Sequence, residues 1–193
     1  MHSKILVAFI ALVVAAQACC CCTAMGGPQP PYTITPSDEH VQNLEERMEP
    51  VDIAPDGSFN ITVTEEELTS LLVHLMEQQQ AEQSEQPPIS DPQILIRNGR
   101  VELYATVHIV DGFSLPGLVA FTVDVTDRQA TVTVEEVAVG PVPMPEAIED
   151  ALANLINEVL AESTQTETQG DAIITDVEVG DREVTLYCQM IDQ

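Results

Sequence analysis

Apolar residues recur along this chain in two rhythms, one of about 3.6 residues and one of 2, and each switch marks a change of element. Residues 58–63 alternate like a strand, and Thr64-Glu65-Glu66-Glu67 then reads as a capping box opening a helix. Leu68, Leu71, Leu72, Leu75 and Met76 fall at i, i+3, i+4, i+7 and i+8, so that helix has one apolar stripe. It fades through three glutamines into a polar connector ending at Pro87-Pro88. Strands 93–97 and 100–110 follow, joined by Asn98-Gly99, the strongest short hairpin signal. The second places Val101, Leu103, Ala105, Val107 and Ile109 on one face and Glu102, Tyr104, Thr106 and His108 on the other. That polar face is expected in solvent. After a loop at 111–116, strand 118–126 aligns Val119, Phe121, Val123 and Val125. Strand 129–139 carries Val132, Val134, Val137 and Val139, and the change of phase across Glu135-Glu136 predicts a bulge. A proline-rich junction at 140–145 starts a second helix, striped by Ile148, Leu152, Leu155, Ile156, Val159 and Leu160. A last hairpin pairs 172–179 with 183–190. One-sided strands and one-sided helices together predict an α+β domain, a curved antiparallel sheet wrapping two amphipathic helices.

The first 22 residues follow neither rhythm. Met1-His2-Ser3-Lys4 gives a positive head, an apolar run of about a dozen residues follows, and Cys19, Cys20, Cys21 and Cys22 close the segment. This reads as an export signal. The apolar run is short for a membrane span, which needs about 20 residues, although counting the cysteines and beyond would extend it to that length. Three outcomes compete: a lipoprotein signal cleaved before an acylated Cys19, an uncleaved helical anchor, and release by an ordinary signal peptidase. The lipoprotein is the preferred reading, although Ala16 stands where such signals usually carry Leu. All three place the chain outside the cytoplasm. Residues 1–22 are thus the signal and anchor. Residues 23–57 are a proline-rich tether with a short helix capped by Ser37, and 58–193 form the single domain.

Charge narrows the partners. The chain has 193 residues with 32 acidic against 6 basic, and Lys4 is its only lysine. Without Lys4, five arginines face 32 carboxylates, a net charge of −27 from Cys19 onward. Such a surface repels phosphate backbones and anionic headgroups, which excludes nucleic acid and makes any membrane role depend on the anchor. The acidity does not arrange itself as a calcium loop, because Asp171, Asp176 and Asp181 are five apart and fall in different elements.

Candidate chemistry is sparse. Cys19 and Cys22 form a C-x-x-C with no partner cluster, and Cys188 reads as a small buried apolar residue. No nucleophile elbow, zinc-protease helix, P-loop or dinucleotide fingerprint occurs. Glu102, Tyr104 and His108 could do acid–base work only if they lined a cleft. Asn60-Ile61-Thr62 matches a glycosylation sequon. Neither an enzyme nor a cofactor or metal is expected.

Phe59-Asn60-Ile61-Thr62-Val63-Thr64-Glu65-Glu66-Glu67-Leu68, with Leu71 and Leu72 behind it, resembles the opening of the YpmS-like proteins. These are uncharacterised, membrane-anchored extracytoplasmic bacterial domains. The run from Val137 through Gly140 to Pro145, followed by an amphipathic helix, is similar to their junction of strand, glycine, proline loop and helix. The final hairpin has the matching shape, so the resemblance covers about residues 58–190. The cysteine-rich start departs from it, since those proteins carry a plain membrane helix. Such domains look like small relatives of the tubular lipid-binding (bactericidal/permeability-increasing-like) architecture, in which a curled sheet and a long helix enclose an apolar groove.

The expected function is that of a membrane-tethered binding protein for lipid or other apolar ligands. The groove candidates are Leu68, Leu72, Leu75, Val101, Leu103, Val107, Phe121, Val123, Val132, Leu152, Leu155, Ile156 and Val159. The alternative is a structural or partner-binding envelope domain in which the same residues close-pack into a solid core.

Overall fold

The computed structural model describes residues 26–48, 53–82, 88–110, 113–126, 129–143, 150, 153–154, 157 and 172–190. Helix α1 (Asp38–Met48) is followed by β1 (Ser58–Thr64) and helix α2 (Glu65–Glu82). Strands β2 (Ile89–Arg97), β3 (Arg100–Val110), β4 (Phe113–Thr126), β5 (Gln129–Val139) and the short β6 (Val142–Pro143) come next. Strands β7 (Ala172–Val179) and β8 (Glu183–Met190) end the order. The fold is α+β and its sheets are antiparallel. They are two rather than one: a five-stranded sheet in the order β2-β3-β4-β5-β6 and a three-stranded sheet in the order β1-β8-β7.

Local chemistry places the boundaries. The capping box forms as the spacing requires: Thr64 N–H donates to Glu67 Oε2 at 3.0 Å, and Glu67 N–H donates to Thr64 Oγ1 at 3.3 Å. Ser37 caps α1 by accepting the His40 N–H. Asn98 (φ 56°) and Gly99 (φ 75°) both lie in the left-handed region, as a two-residue hairpin turn between Arg97 and Arg100 needs. The bulge falls at Glu135, because Ala120 pairs with Glu136 while the next residue, Phe121, pairs with Val134. This extra residue restores phase, so Val132 and Val134 share a face with Val137 and Val139. Strand β4 begins five residues earlier than the pattern implies, taking in residues 113–116 of the expected loop. Pro116 sits inside it, and its carbonyl accepts the Gly140 N–H at 2.7 Å.

Two expectations fail at the five-stranded sheet. Its supposedly exposed face is packed at one end: Glu102 is fully buried, and Tyr104 joins Ile34, Leu95, Leu118 and Ala120 in a buried cluster. The supposed tether supplies the cover. Ile34 is buried, its N–H donates to Gln93 Oε1 at 2.6 Å, and Val41 and Leu44 of α1 are buried as well. A Cβ added to Gly27 would come within 2.5 Å of Pro116, so this strap lies directly on the sheet.

Helix α2 also presents a different face from the one its leucines suggest. Glu65, Glu67, Thr69 and Ser70 are buried, Leu68, Leu71 and Leu72 are half-buried, and Leu75 is 47% exposed. The reason is that α2 runs along the outer edge of β2, where backbone groups lack a strand partner. Thr69 Oγ1 accepts the Ile94 N–H at 2.9 Å and donates to the Ile94 carbonyl at 3.3 Å. Glu65 Oε2 accepts the Ile96 N–H at 3.1 Å, and Arg182 N–H donates to the Ile96 carbonyl at 2.9 Å. Across the sheet, Asn157 closes β5 in the same manner. Its Oδ1 accepts the Val132 N–H at 2.7 Å, and its Nδ2 donates to the Val132 carbonyl at 2.8 Å. Side chains thus stand in for missing strands at both flanks. The second helix is seen only at Asp150, Ala153, Asn154 and Asn157, which are helical.

Candidate functional site

Six of the nine described groove candidates are gathered on one sheet face. Val101 pairs with Phe121, Leu103 with Val119, Val107 with Leu115, and Val123 with Val132. Val101 and Val132 are buried, whereas Leu103, Val107, Phe121 and Val123 are half-buried. Ile109 and Phe113, at the β3–β4 end of this sheet, are exposed at 51% and 38%. Leu152, Leu155, Ile156 and Val159 lie outside the described residues, as does Cys19.

A cleft opens elsewhere, beneath the strap. Its larger lobe, about 460 Å³, lies between α2, the start of β2 and the strap, and is lined by Thr33, Pro36, Val73, Met76, Glu77, Gln80 and residues 89–93. Its smaller lobe, about 200 Å³, is lined by Pro28, Gln29, Pro30, Tyr104, Ala105, Thr106, Pro116 and Gly117. Thr33, Asp91 and Gln93 line both, so the lobes meet there. The combined space falls in the range of small-molecule sites, about 300–1,000 Å³. Neither lobe is lined by Leu68, Leu72, Leu75, Val101, Leu103, Val107, Phe121, Val123 or Val132.

The cleft follows from an interrupted strand. Ser90-Asp91-Pro92 breaks the β2–β3 register between Ser90 and Gln93, and Asp91 adopts φ 51°. Strand β2 therefore lifts from even pairing where Pro36, Val73 and Met76 approach. The sequence signal was an isolated Ile34 after a proline run, together with Asp91-Pro92 ahead of an apolar strand.

Electrostatics separate the cleft from its surroundings. Glu102 receives Arg97 Nε at 2.6 Å, Arg100 Nε at 2.9 Å and the Tyr104 hydroxyl at 3.0 Å. Burial pushes its carboxyl up, but these donors together hold it below the usual carboxylate range. Glu65 accepts the Tyr32 hydroxyl at 2.8 Å and pairs with Arg182 at 2.7 Å, while Arg182 also binds Glu66 and lies 5.3 Å from the Tyr32 ring centre. Arg47 pairs with Glu67 at 2.7 Å. The four described arginines are therefore all committed to carboxylates of the fold. None lines the cleft, where Glu77 and Asp91 have no cationic partner among the described residues.

The Glu/Tyr/His trio is split. Glu102 and Tyr104 hydrogen-bond to each other, whereas His108 lies between Ser114 (Nδ1, 2.7 Å) and Ser90 (Nε2, 3.0 Å). Cys188 is buried, and burial pushes its thiol up. Among the described residues no group of three or more His, Cys, Asp or Glu could hold a metal ion, and no helix is long and apolar enough to cross a membrane. No family model matches the chain, and no curated protein or solved structure is similar to it.

Proposed function

We propose that this chain is an exported, membrane-tethered binding domain of the cell envelope that holds a ligand with an apolar body. The cleft beneath the strap carries this reading. Its walls include Pro36, Val73, Met76, Ile89 and Pro92, with a few polar groups at its junction, the composition of a binding site for a small amphipathic molecule. The half-buried valines, Leu103 and Phe121 on the sheet face support a second apolar contact for a longer ligand, a lipid included. A binding role rather than a catalytic one fits the split of the Glu/Tyr/His trio. The acidic chain would be repelled by anionic lipid, so an acylated Cys19 supplies the attachment, at about 0.8 kcal/mol per buried methylene.

Native mass spectrometry of the full chain, extracted from membranes in mild detergent, tests both halves. A diacylated N-terminal Cys19 and an additional mass released by organic solvent are expected. An unmodified N-terminus beyond Cys22 removes the tether. Protein without any bound mass, which also fails to take up an alkyl-chain probe, removes the binding reading.

A further inference from the structure

We propose that the cleft beneath the strap selects organic cations, ligands that carry an ammonium group on an apolar body. This rests on the binding reading above and specifies the chemistry of its ligand.

The distribution of charge points to a cation. Each buried carboxylate that supports the fold faces an arginine: Glu65 faces Arg182, Glu67 faces Arg47, and Glu102 faces Arg97 and Arg100. Glu77 and Asp91 are different. Both line the larger lobe and have no ion pair among the described residues, and Asp91 is engaged only by the Ser90 hydroxyl at 3.1 Å. Two uncompensated carboxylates beside apolar walls set up a negative potential at the mouth of the cleft. A carboxylate or phosphate ligand would be repelled there, whereas an alkylammonium gains attraction while its chain lies against Val73, Met76 and Ile89.

A buried amide gives the second, independent sign of a ligand. Gln93 is 9% exposed and lines both lobes where they meet. Its Oε1 accepts the Ile34 N–H, which fixes the orientation of the amide and leaves the NH2 group as a donor. That NH2 has no partner among the described residues. Among the described residues no fully buried side-chain polar atom is left unsatisfied, so the group keeps some accessible surface, and Gln93 lines both lobes. A donor at the floor and two acceptors at the wall suit a ligand bearing both an amine and an oxygen acceptor, an amino alcohol with an alkyl chain. The exposed positions of Glu77 and Asp91 keep them apart from the packed interior. Asn also tolerates the left-handed backbone of position 91.

The test is calorimetric titration of the full-length protein with octylamine, octan-1-ol and octanoate at neutral pH and low salt. Octylamine is expected to bind most tightly and octanoate least. Added salt should narrow the difference. Glu77→Gln and Asp91→Asn should each weaken octylamine by roughly fivefold, and octan-1-ol by clearly less. Val73→Phe, which fills the larger lobe, should weaken octylamine and octan-1-ol together. Equal affinity for the three compounds, or an octylamine preference that survives loss of both carboxylates, overturns selection of cations but leaves the binding reading intact. Failure of all three to bind overturns both.

Discussion

The Thr69 hydroxyl makes two hydrogen bonds to one residue, accepting the Ile94 N–H at 2.9 Å and donating to its carbonyl at 3.3 Å. A helix side chain thereby completes the outer edge of β2, and Asn157 does the same for Val132 of β5. Thr69→Val keeps the shape and removes both bonds, leaving an amide and a carbonyl unsatisfied at a buried contact. A loss of about 1–3 kcal/mol in urea unfolding, with the slope unchanged, is expected. Asn157→Leu should cost a similar amount and make the protein associate at high concentration, because an open strand edge is a pairing template. Sedimentation velocity reads the second effect.

The strap joins the fold through Tyr32 and Ile34, so the packed unit begins well before β1. Ile34→Ala should destabilise by roughly 2–4 kcal/mol, since the site is 6% exposed and its neighbours Leu95, Tyr104 and Leu118 cannot collapse around it without moving. A chain starting at Ser37 should lose at least as much. Stability of that shortened chain equal to that of the full one would show that the strap is a passive tether.

How much of this was legible in the sequence depended on the range of the interaction. The Asn98-Gly99 turn, the Thr64–Glu67 capping box and the bulge at Glu135 are set by residues within a few positions of one another, and each falls where the pattern places it. The role of α2 was not legible. Leu68, Leu72 and Leu75 announce a core-facing stripe, but the helix meets a sheet edge rather than a sheet face, so Glu65 and Thr69 are worth more at the contact than leucine. Pairing over 25 or 31 positions, as for Thr69 with Ile94 and Glu65 with Ile96, leaves no periodic trace. For the same reason the pattern of 100–110 marked Glu102 as exposed, although Arg97 and Arg100 stand on either side of the turn to neutralise it. The cleft was hidden because a proline-rich run reads as a linker until Ile34 is seen to be buried.

All three tyrosines of the chain should resist ionisation in the native state. Burial, the hydrogen bond to Glu65 and the Glu65 charge push Tyr32 up to about 12, against the opposing charge of Arg182. Burial and then Glu102 raise Tyr104, and the hydrogen bond to Glu178 raises Tyr187. A folded-state value above the unfolded one stabilises fully below the unfolded pKa, and that contribution disappears as pH rises through the folded value. Ultraviolet titration should therefore show little tyrosinate in the native protein at pH 10, where the urea-unfolded chain is about half ionised. Stability should fall from pH 10 to 12, and Tyr32→Phe should remove the last ionisation step. A native curve that overlays the unfolded one would contradict the Tyr32–Glu65 geometry.

Acid should act in the opposite sense at Glu102. Burial raises its pKa, but the hydrogen bonds from Arg97, Arg100 and Tyr104 outweigh that and lower it from the ordinary 4.5. A depressed folded-state value stabilises above the unfolded pKa, and the contribution is lost as pH falls through the folded one. The bare stability curve mixes this with a second effect, since protonating the unpaired carboxylates of a chain at −26 relieves self-repulsion. The difference between wild type and Glu102→Gln separates the two, because both share that background. At pH 7 the variant should be less stable by roughly 2–3 kcal/mol, the scale of lost bonds to a charged, buried acceptor. Below about pH 4.5 the gap should close steadily, as Glu102 takes up its proton and comes to resemble the amide. A gap that stays constant from pH 7 down to pH 3 would mean that Glu102 titrates alike in the folded and unfolded chain, and would contradict the contacts from Arg97, Arg100 and Tyr104.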